Sequence, residues 1–208
     1  MIKIEKTKIF NLEGAIRGAR NAKNSWEHSD SYYNGEEYIL GENDLNLARK
    51  LCDAGRKLSS DHRKFIRQIM VCVDVTAPLY WWKEYDTYKV ATTANSQSTM
   101  HKIHAKPIII EDFSAEDVSK EGKAVFLEYI GYIENLRKKF VESKDKSVWR
   151  ELIQLLPSSY NQLRTLTLNY ENLANMFNTR RNHKLQEWRT FCKWIQELPY
   201  AVPLITEG

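Results

Sequence analysis

Gln68-Ile69-Met70-Val71-Cys72-Val73-Asp74-Val75-Thr76 is the most strand-like run in the chain. It is β-branched and nearly continuously apolar, the pattern of a central strand covered on both faces. Thr76-Ala77-Pro78 then predicts a cap followed by proline in the first helical turn. The helix so opened carries Leu79, Tyr80, Trp81, Trp82 and Tyr85. Hydrophobic periodicity thus switches from strand to helix within a few residues, and the rest of the chain repeats that mixture.

Upstream, Ile2, Ile4, Ile9 and Phe10 stand among lysines, as in an edge strand. Asn11 is placed to cap a short helix over Leu12 to Ala19. Asn21 to Gly41 is polar and aromatic without a clear period and reads as loop. Asn43 or Asp44 starts a helix with Leu45, Leu47, Ala48 and Leu51 inward, and Gly55 is its expected stop.

Downstream, Thr92 to Thr99 is the single stretch of small polar residues and the expected binding loop. Pro107 to Phe113 reads as a short extended piece, and Ser114 with Asp117 resembles a capping box. A long helix is expected over Gly122 to Glu142, and another from Asp145 to Leu156, ended by Pro157. Asn161 to Leu168 alternates as a second strand. Asn169 caps a helix to about Arg181, and an amphipathic helix covers His183 to Glu197. No repeat or linker interrupts residues 1–208, so a single mixed α+β domain is expected.

Composition narrows the function classes. The 208 residues are 42% hydrophobic and 28% charged, which excludes a disordered tail, a collagen-like chain and a membrane bundle. Only 8 Gly and 5 Pro favour helix, and six Trp with eleven Tyr supply flat amphipathic rings. The net charge of +4, from 31 basic and 27 acidic residues, is interleaved along the chain. It permits an anionic ligand without demanding one. Cys52, Cys72 and Cys192 lie far apart, so neither a disulfide framework nor a zinc ribbon is suggested. No segment reads as a signal peptide or bilayer span, and a cytoplasmic protein is expected.

Standard catalytic patterns are missing: no glycine-rich phosphate loop and no serine elbow. His101 and His104 lack the carboxylate or cysteine partners a metal site requires, so no metal is expected. Glu36-Glu37 read as solvated loop acids. Asn95, Ser96, Gln97, Ser98 and Thr99, followed by His101 and Lys102, combine donors with cations as phosphate binding needs; a plain surface loop explains them too. Asn169, Asn172 and Asn175 step by three, and Arg180 follows Asn172 by eight, so amides and a guanidinium can share one helix edge. Such an edge matches the donors and acceptors of a base or flavin, or else satisfies other backbone segments that the helix crosses. Tyr80-Trp81-Trp82 could stack nucleic-acid bases, but the rings fit a buried helix better and the basic residues are offset by acids.

Asn169, Leu173, Asn175, Arg180, then His183 and Glu187, resemble the C-terminal signature of the flavin-dependent thymidylate synthases. In that family the signature continues into His-Ala-Gln-Trp-Glu-Ile, and one residue is deleted here before His183. Leu156-Pro157 precedes Asn169 at the family's interval. Val73 to Pro78 resembles its strand and Ala-Pro helix start, and His62 stands where a flavin-contacting His begins that segment. The chain is also similar to phage-associated proteins with this variant pattern, for which the host cytoplasm would be the location. The resemblance implies an α+β fold with a small central antiparallel sheet and packed helices. It further implies a homotetramer that binds FAD and dUMP and uses NADPH and methylenetetrahydrofolate to make dTMP. Arg180 would contact the pyrimidine nucleotide together with Lys89, Asn95 and Ser98. His62, Asn169, Asn175 and His183 would lie against the flavin.

The departures fall on the motif Arg-His-Arg-x-x-Ser-x-Asn-Glu-x-Ser-x-Arg. Thr87, Tyr88 and Lys89 occupy its first three places, Thr92 replaces the first serine, and one residue is inserted before Asn95. Ser96 replaces the glutamate, and Met100 the last arginine. Glu84, Arg67 and Ile153 replace a glutamine, a glutamate and an arginine elsewhere. Each lost charge-assisted phosphate contact is worth ~1.5–3 kcal/mol. Lys89, His101, Lys102 and Arg67 compensate in part, since lysine does not reproduce a bidentate guanidinium. Two functions follow as expectations: a divergent flavin-dependent methyltransferase acting on dUMP or a related nucleotide, or an inactive binding module of the same fold. No catalytic residue is assigned.

Overall fold

The computed structural model describes residues 2–207. In chain order its elements are β1 (Lys3–Phe10), α1 (Leu12–Arg20), β2 (Tyr32–Asn34), β3 (Glu37–Ile39), α2 (Glu42–Lys57), β4 (Met70–Pro78) and α3 (Leu79–Tyr85). They continue with β5 (Thr93–Ser96), α4 (Thr99–Lys102), α5 (Lys120–Ser143), α6 (Lys146–Gln154), β6 (Asn161–Asn169), α7 (Tyr170–Arg180) and α8 (Gln186–Glu197). A 3₁₀ stretch spans Ser60–Gln68, and a π turn spans Val202–Thr206. The expected helix-rich α+β fold with a small antiparallel sheet is what the chain adopts.

Strand order in the main sheet is β1-β4-β6-β5, so the N-terminal strand lies at an edge as read from sequence, and the other two strands read there are interior. Val71, Val73, Val75 and Ala77 are fully buried, while Met70, Cys72, Asp74 and Thr76 are only half-buried. One face of β4 is therefore sealed and the other partly open, not both sealed as the apolar run predicts. Pro78 belongs to the end of β4, not to the first helical turn. The amides of Leu79 and Tyr80 donate instead to the carbonyls of Tyr160 and Ser158, which satisfies the helix start from outside.

Several local expectations yield to tertiary contacts. Asn11 sits in the left-handed region at φ 64° and makes no side-chain cap. Its amide donates to the Gln68 carbonyl at 3.1 Å. The expected loop from Asn21 to Gly41 contains a hairpin, with Tyr32 paired to Ile39 and Tyr33 to Tyr38. Gly35, at φ +64°, makes its tight turn. Gly55 does not stop α2: it lies inside the helix because the Arg63 side chain crosses there, and a Cβ would meet Arg63 Cγ at 2.5 Å.

The polar stretch Thr92 to Thr99 is not all loop, since Thr93–Ser96 forms the edge strand β5. Beyond it, the Gln97 amide donates to the Leu163 carbonyl at 2.8 Å. Ser119, not Ser114, caps α5 by accepting from the Gly122 amide at 3.1 Å. Ser114 Oγ instead donates to Asn161 Oδ1 at 2.8 Å. The last helix begins at Gln186 rather than His183.

Internal contacts divide the chain into two compact units whose boundaries fall inside β1, β4, β5 and β6 and between Thr87 and Tyr88. The first comprises the start of β1, Val75–Thr87 and Asn95–Thr165. Its core sets Ile130, Ile133 and Leu136 of α5 against Val148 and Leu152 of α6, with Phe113 and Tyr160. Trp81 and Trp82 are almost fully buried, with ring centroids 4.8 Å apart. The guanidinium of Arg164 lies 4.2 Å above the Trp82 ring. These rings are therefore core, as the helical reading of Tyr80-Trp81-Trp82 anticipates, and burial of each is worth roughly 1.5–3 kcal/mol.

The second unit comprises Ile4–Asp74, Tyr88–Ala94 and the chain from Leu166 onward. Within it the Ser60–Gln68 stretch packs on α1, α2 and α7. A buried ion pair of 2.8 Å joins Arg63 of that stretch to Glu171 of α7. Among the described residues no helix is long and apolar enough to cross a membrane.

Candidate functional site

The site is built on α7, whose start is fixed by its own asparagines. Asn169 Oδ1 accepts from the Asn172 amide at 3.0 Å, and Asn172 Oδ1 accepts from the Asn169 amide at 3.1 Å. Two orphan donors of the helix start are thereby satisfied reciprocally. Asn172 also donates from Nδ2 to the Val90 carbonyl at 2.9 Å, holding the Tyr88–Ala94 segment along the helix. Ala91 in that segment is left-handed, at φ 56°. The asparagine edge is thus divided: Asn169 and Asn172 satisfy backbone, whereas Asn175 is exposed.

At the other end of α7 the segment returns a side chain to the helix. Tyr88 Oη lies 2.8 Å from Thr179 Oγ1 and accepts from Arg180 Nε at 2.9 Å. The Arg180 guanidinium stands 4.8 Å from the Trp188 ring centre and 5.6 Å from that of Tyr88. Trp188 is fully buried on α8 and packs edge-on to Tyr88 at 5.9 Å. A half-buried guanidinium held against two rings is fixed in orientation, which suits recognition of a planar acceptor edge.

His183 follows in the turn between α7 and α8, its ring 6.4 Å from that of Trp188. Its Nδ1 accepts from the Leu185 amide at 3.2 Å, which leaves the proton of the neutral ring on Nε2. Burial pushes the nearby Cys192 thiol up to about 11 and Cys52 up to about 12, so neither is poised as a thiolate nucleophile.

His62 lies on the Ser60–Gln68 stretch and lines a cleft of ≈ 750 Å³ within the second unit. Gly18, Ala19 and Ala22 give that cleft a small-residue wall, and Lys64 and Phe65 line it with His62. Gly18 is close-packed, since a Cβ there would meet Gln68 Oε1 at 3.0 Å. Arg180, Lys89, His183, Asn169, Asn175 and His62 all belong to this unit, and Lys89 is exposed beside Tyr88. Asn95 and Ser98 belong to the first unit. Asn95 is exposed on β5, and Ser98 Oγ caps α4 by accepting from the His101 amide at 3.1 Å.

Sequence reasoning missed the partners of Arg180. Tyr88 registers there only as a substitute inside the motif, and Trp188 is given no role. The available signal is the replacement itself, because a tyrosine in place of histidine can accept from an arginine. Among the described residues no three His, Cys, Asp or Glu side chains cluster as a metal site would need.

No family model and no curated protein matches the sequence. Solved structures do. Thymidylate synthase X from Helicobacter pylori, crystallised with FAD and dUMP, is similar at 16% identity and a TM-score of 0.72, covering 100% of this chain and 98% of that one. A second structure of the same flavin-dependent enzyme with FAD and dUMP gives 16% and 0.71 over 99% of this chain and 98% of that one. The UMP/dUMP methylase PolB from Streptomyces cacaoi, bound to 5-Br dUMP, is similar at 13% and 0.62, covering 99% and 94%. The chain therefore has the fold of the flavin-dependent thymidylate synthases over its whole length.

Proposed function

We propose that the chain is a divergent flavin-dependent pyrimidine nucleotide methyltransferase, acting on dUMP or a related nucleotide. The observation that carries this reading is Arg180, clamped by Tyr88 and Trp188 on the helix that bears the family-like signature. Similar folds bound to FAD and dUMP, or to 5-Br dUMP, support it. In this reading Arg180 recognises the pyrimidine, with Lys89 of the same unit toward the rest of the nucleotide. The chain then works as one domain over residues 1–208, in a cytoplasmic homotetramer, with phage encoding as part of the same proposal.

The second-unit cleft fits a flavin nucleotide in kind: small residues leave space for a flat ring, and His62 and Lys64 offer donors to ring edge or phosphate. His62, which lines the cleft, and Asn175 and His183, which do not, are the residues proposed to hold it, with Asn169 acting by fixing the start of α7. FAD, when bound, supplies hydride chemistry, with NADPH as reductant and methylenetetrahydrofolate as one-carbon donor. The chain's own part is to bind, orient and exclude water.

A second reading has one observation in its favour. Tyr88 stands in the place of the motif's histidine, and its hydroxyl is already engaged by Arg180 and Thr179. A module that holds a nucleotide without turning it over would have this closed arrangement. The visible spectrum of the purified protein tests the first reading: flavin absorbance retained, or gained on FAD addition, is expected. A colourless protein that takes up no FAD refutes it. Tritium release from labelled dUMP, with folate and NADPH present, then separates enzyme from inactive binder.

A further inference from the structure

A second concavity of the second unit, ≈ 380 Å³ in volume, shares no lining residue with the cleft that holds His62. Its walls are aromatic: Trp26, Tyr32, Tyr33 and Tyr38. Trp26, Tyr32 and Tyr33 are exposed by 48%, 58% and 57%, although each ring has apolar faces that water solvates poorly. The polar tips of Trp26 and Tyr33 are nonetheless engaged. Trp26 Nε1 donates to Asn21 Oδ1 at 2.9 Å, and Tyr33 Oη donates to Glu13 Oε2 at 2.8 Å. The rings of Tyr33 and Tyr38 pack at 5.1 Å across the hairpin.

Beneath the rings the loop is pinned by a buried charge network. Arg20 Nε donates to Asp44 at 2.6 Å, and the other guanidinium nitrogens hold the carbonyls of Ser25 and His28 at 3.1 and 3.0 Å. Asp44 also accepts from the hydroxyls of Ser29 and Ser31 at 2.7 and 2.6 Å. The concavity is therefore formed before any ligand arrives, which lowers the cost of binding.

The charges at its lining select the ligand. Arg20 is neutralised by Asp44, and the Glu13 carboxylate is engaged by Tyr33. Arg17, one turn along α1 from Glu13, is exposed and has no hydrogen bond or ion pair within the described residues. The Glu13 carboxylate keeps its negative charge on the Tyr33 side, and the Arg17 guanidinium is the lining cation left to take an anionic group beside the ring faces. We propose that this pocket binds a planar aromatic anion of mononucleotide size, its ring against Trp26 and the tyrosines and its anionic group on Arg17. The volume lies within the usual range of small-ligand sites, about 300–1,000 Å³. The proposal stands independently of the function assigned to Arg180.

Three probes test it on the full chain: AMP, adenosine and inorganic phosphate, followed by tryptophan fluorescence and calorimetry. AMP is expected to quench fluorescence saturably and to bind at least about tenfold more tightly than adenosine or phosphate alone. Trp26→Phe should remove the quench while calorimetric binding persists. Arg17→Gln, on an exposed residue, should weaken AMP about tenfold and leave adenosine unchanged. Arg180→Gln should leave AMP binding intact. Equal affinity for AMP and adenosine, unchanged AMP affinity in Arg17→Gln, or loss of AMP binding in Arg180→Gln alone would each overturn the proposal. So would the absence of saturable AMP binding.

Discussion

Replacing Asp44 with alanine should be the most damaging single polar change in the second unit. Asp44 is fully buried and Arg20 is 5% exposed, so the substitution strands a buried guanidinium. Removing one partner of a buried pair costs about 3–5 kcal/mol, and here it also strips an acceptor from Ser29 and Ser31. For a chain of this length each kcal/mol is about 2–4 °C, so the melting temperature should fall by roughly 6–20 °C. Circular dichroism melts and urea titrations of the two proteins measure it. The double variant Arg20→Met, Asp44→Leu should recover much of the loss, because no charge is then left buried. Hydrogen bonds from Ser31, Ser29 and Arg20 together outweigh the upward push of burial and hold the Asp44 carboxyl below its ordinary 3.8. A depressed folded pKa gives stability that is complete above the unfolded value and lost as pH falls through the folded one. The gap between wild type and Asp44→Ala should therefore narrow only below about pH 4. A loss under about 1 kcal/mol, or a double variant whose loss is the sum of the singles, would refute the reasoning.

Two further outcomes are expected. Tyr88→Phe removes the acceptor of the 2.9 Å bond from Arg180 Nε, and should weaken dUMP binding about tenfold with stability nearly unchanged; unchanged affinity by calorimetry would remove Arg180 as the pyrimidine contact. Gly55→Ala places a Cβ 2.5 Å from Arg63 Cγ and must displace the Arg63–Glu171 pair, so denaturant titration should show a loss of about 1–3 kcal/mol.

The amino-acid sequence alone determined the interior of the sheet and the frame of the helices. The valine run of β4, the alternation of β6, the Asn169 cap and the break at Pro157 all act through bonds within a few residues, so local pattern reports them. It also named Arg180 and His183 as candidates, because their spacing along one signature survives where the upstream motif does not. What it could not supply depended on partners distant in the chain. β5 exists because β6 offers it backbone, Gly55 is demanded by a side chain from the next stretch, and Asn169 and Asn172 of the asparagine edge are spent on capping and on the Val90 carbonyl. The hairpin before α2 gains its shape from the buried Arg20–Asp44 pair, 24 positions apart. The same holds for Arg180, which meets Tyr88 across 92 positions. Residue type and spacing named the guanidinium, but only folding chose the rings and hydroxyl that orient it, since such contacts are set by packing and not by sequence neighbours.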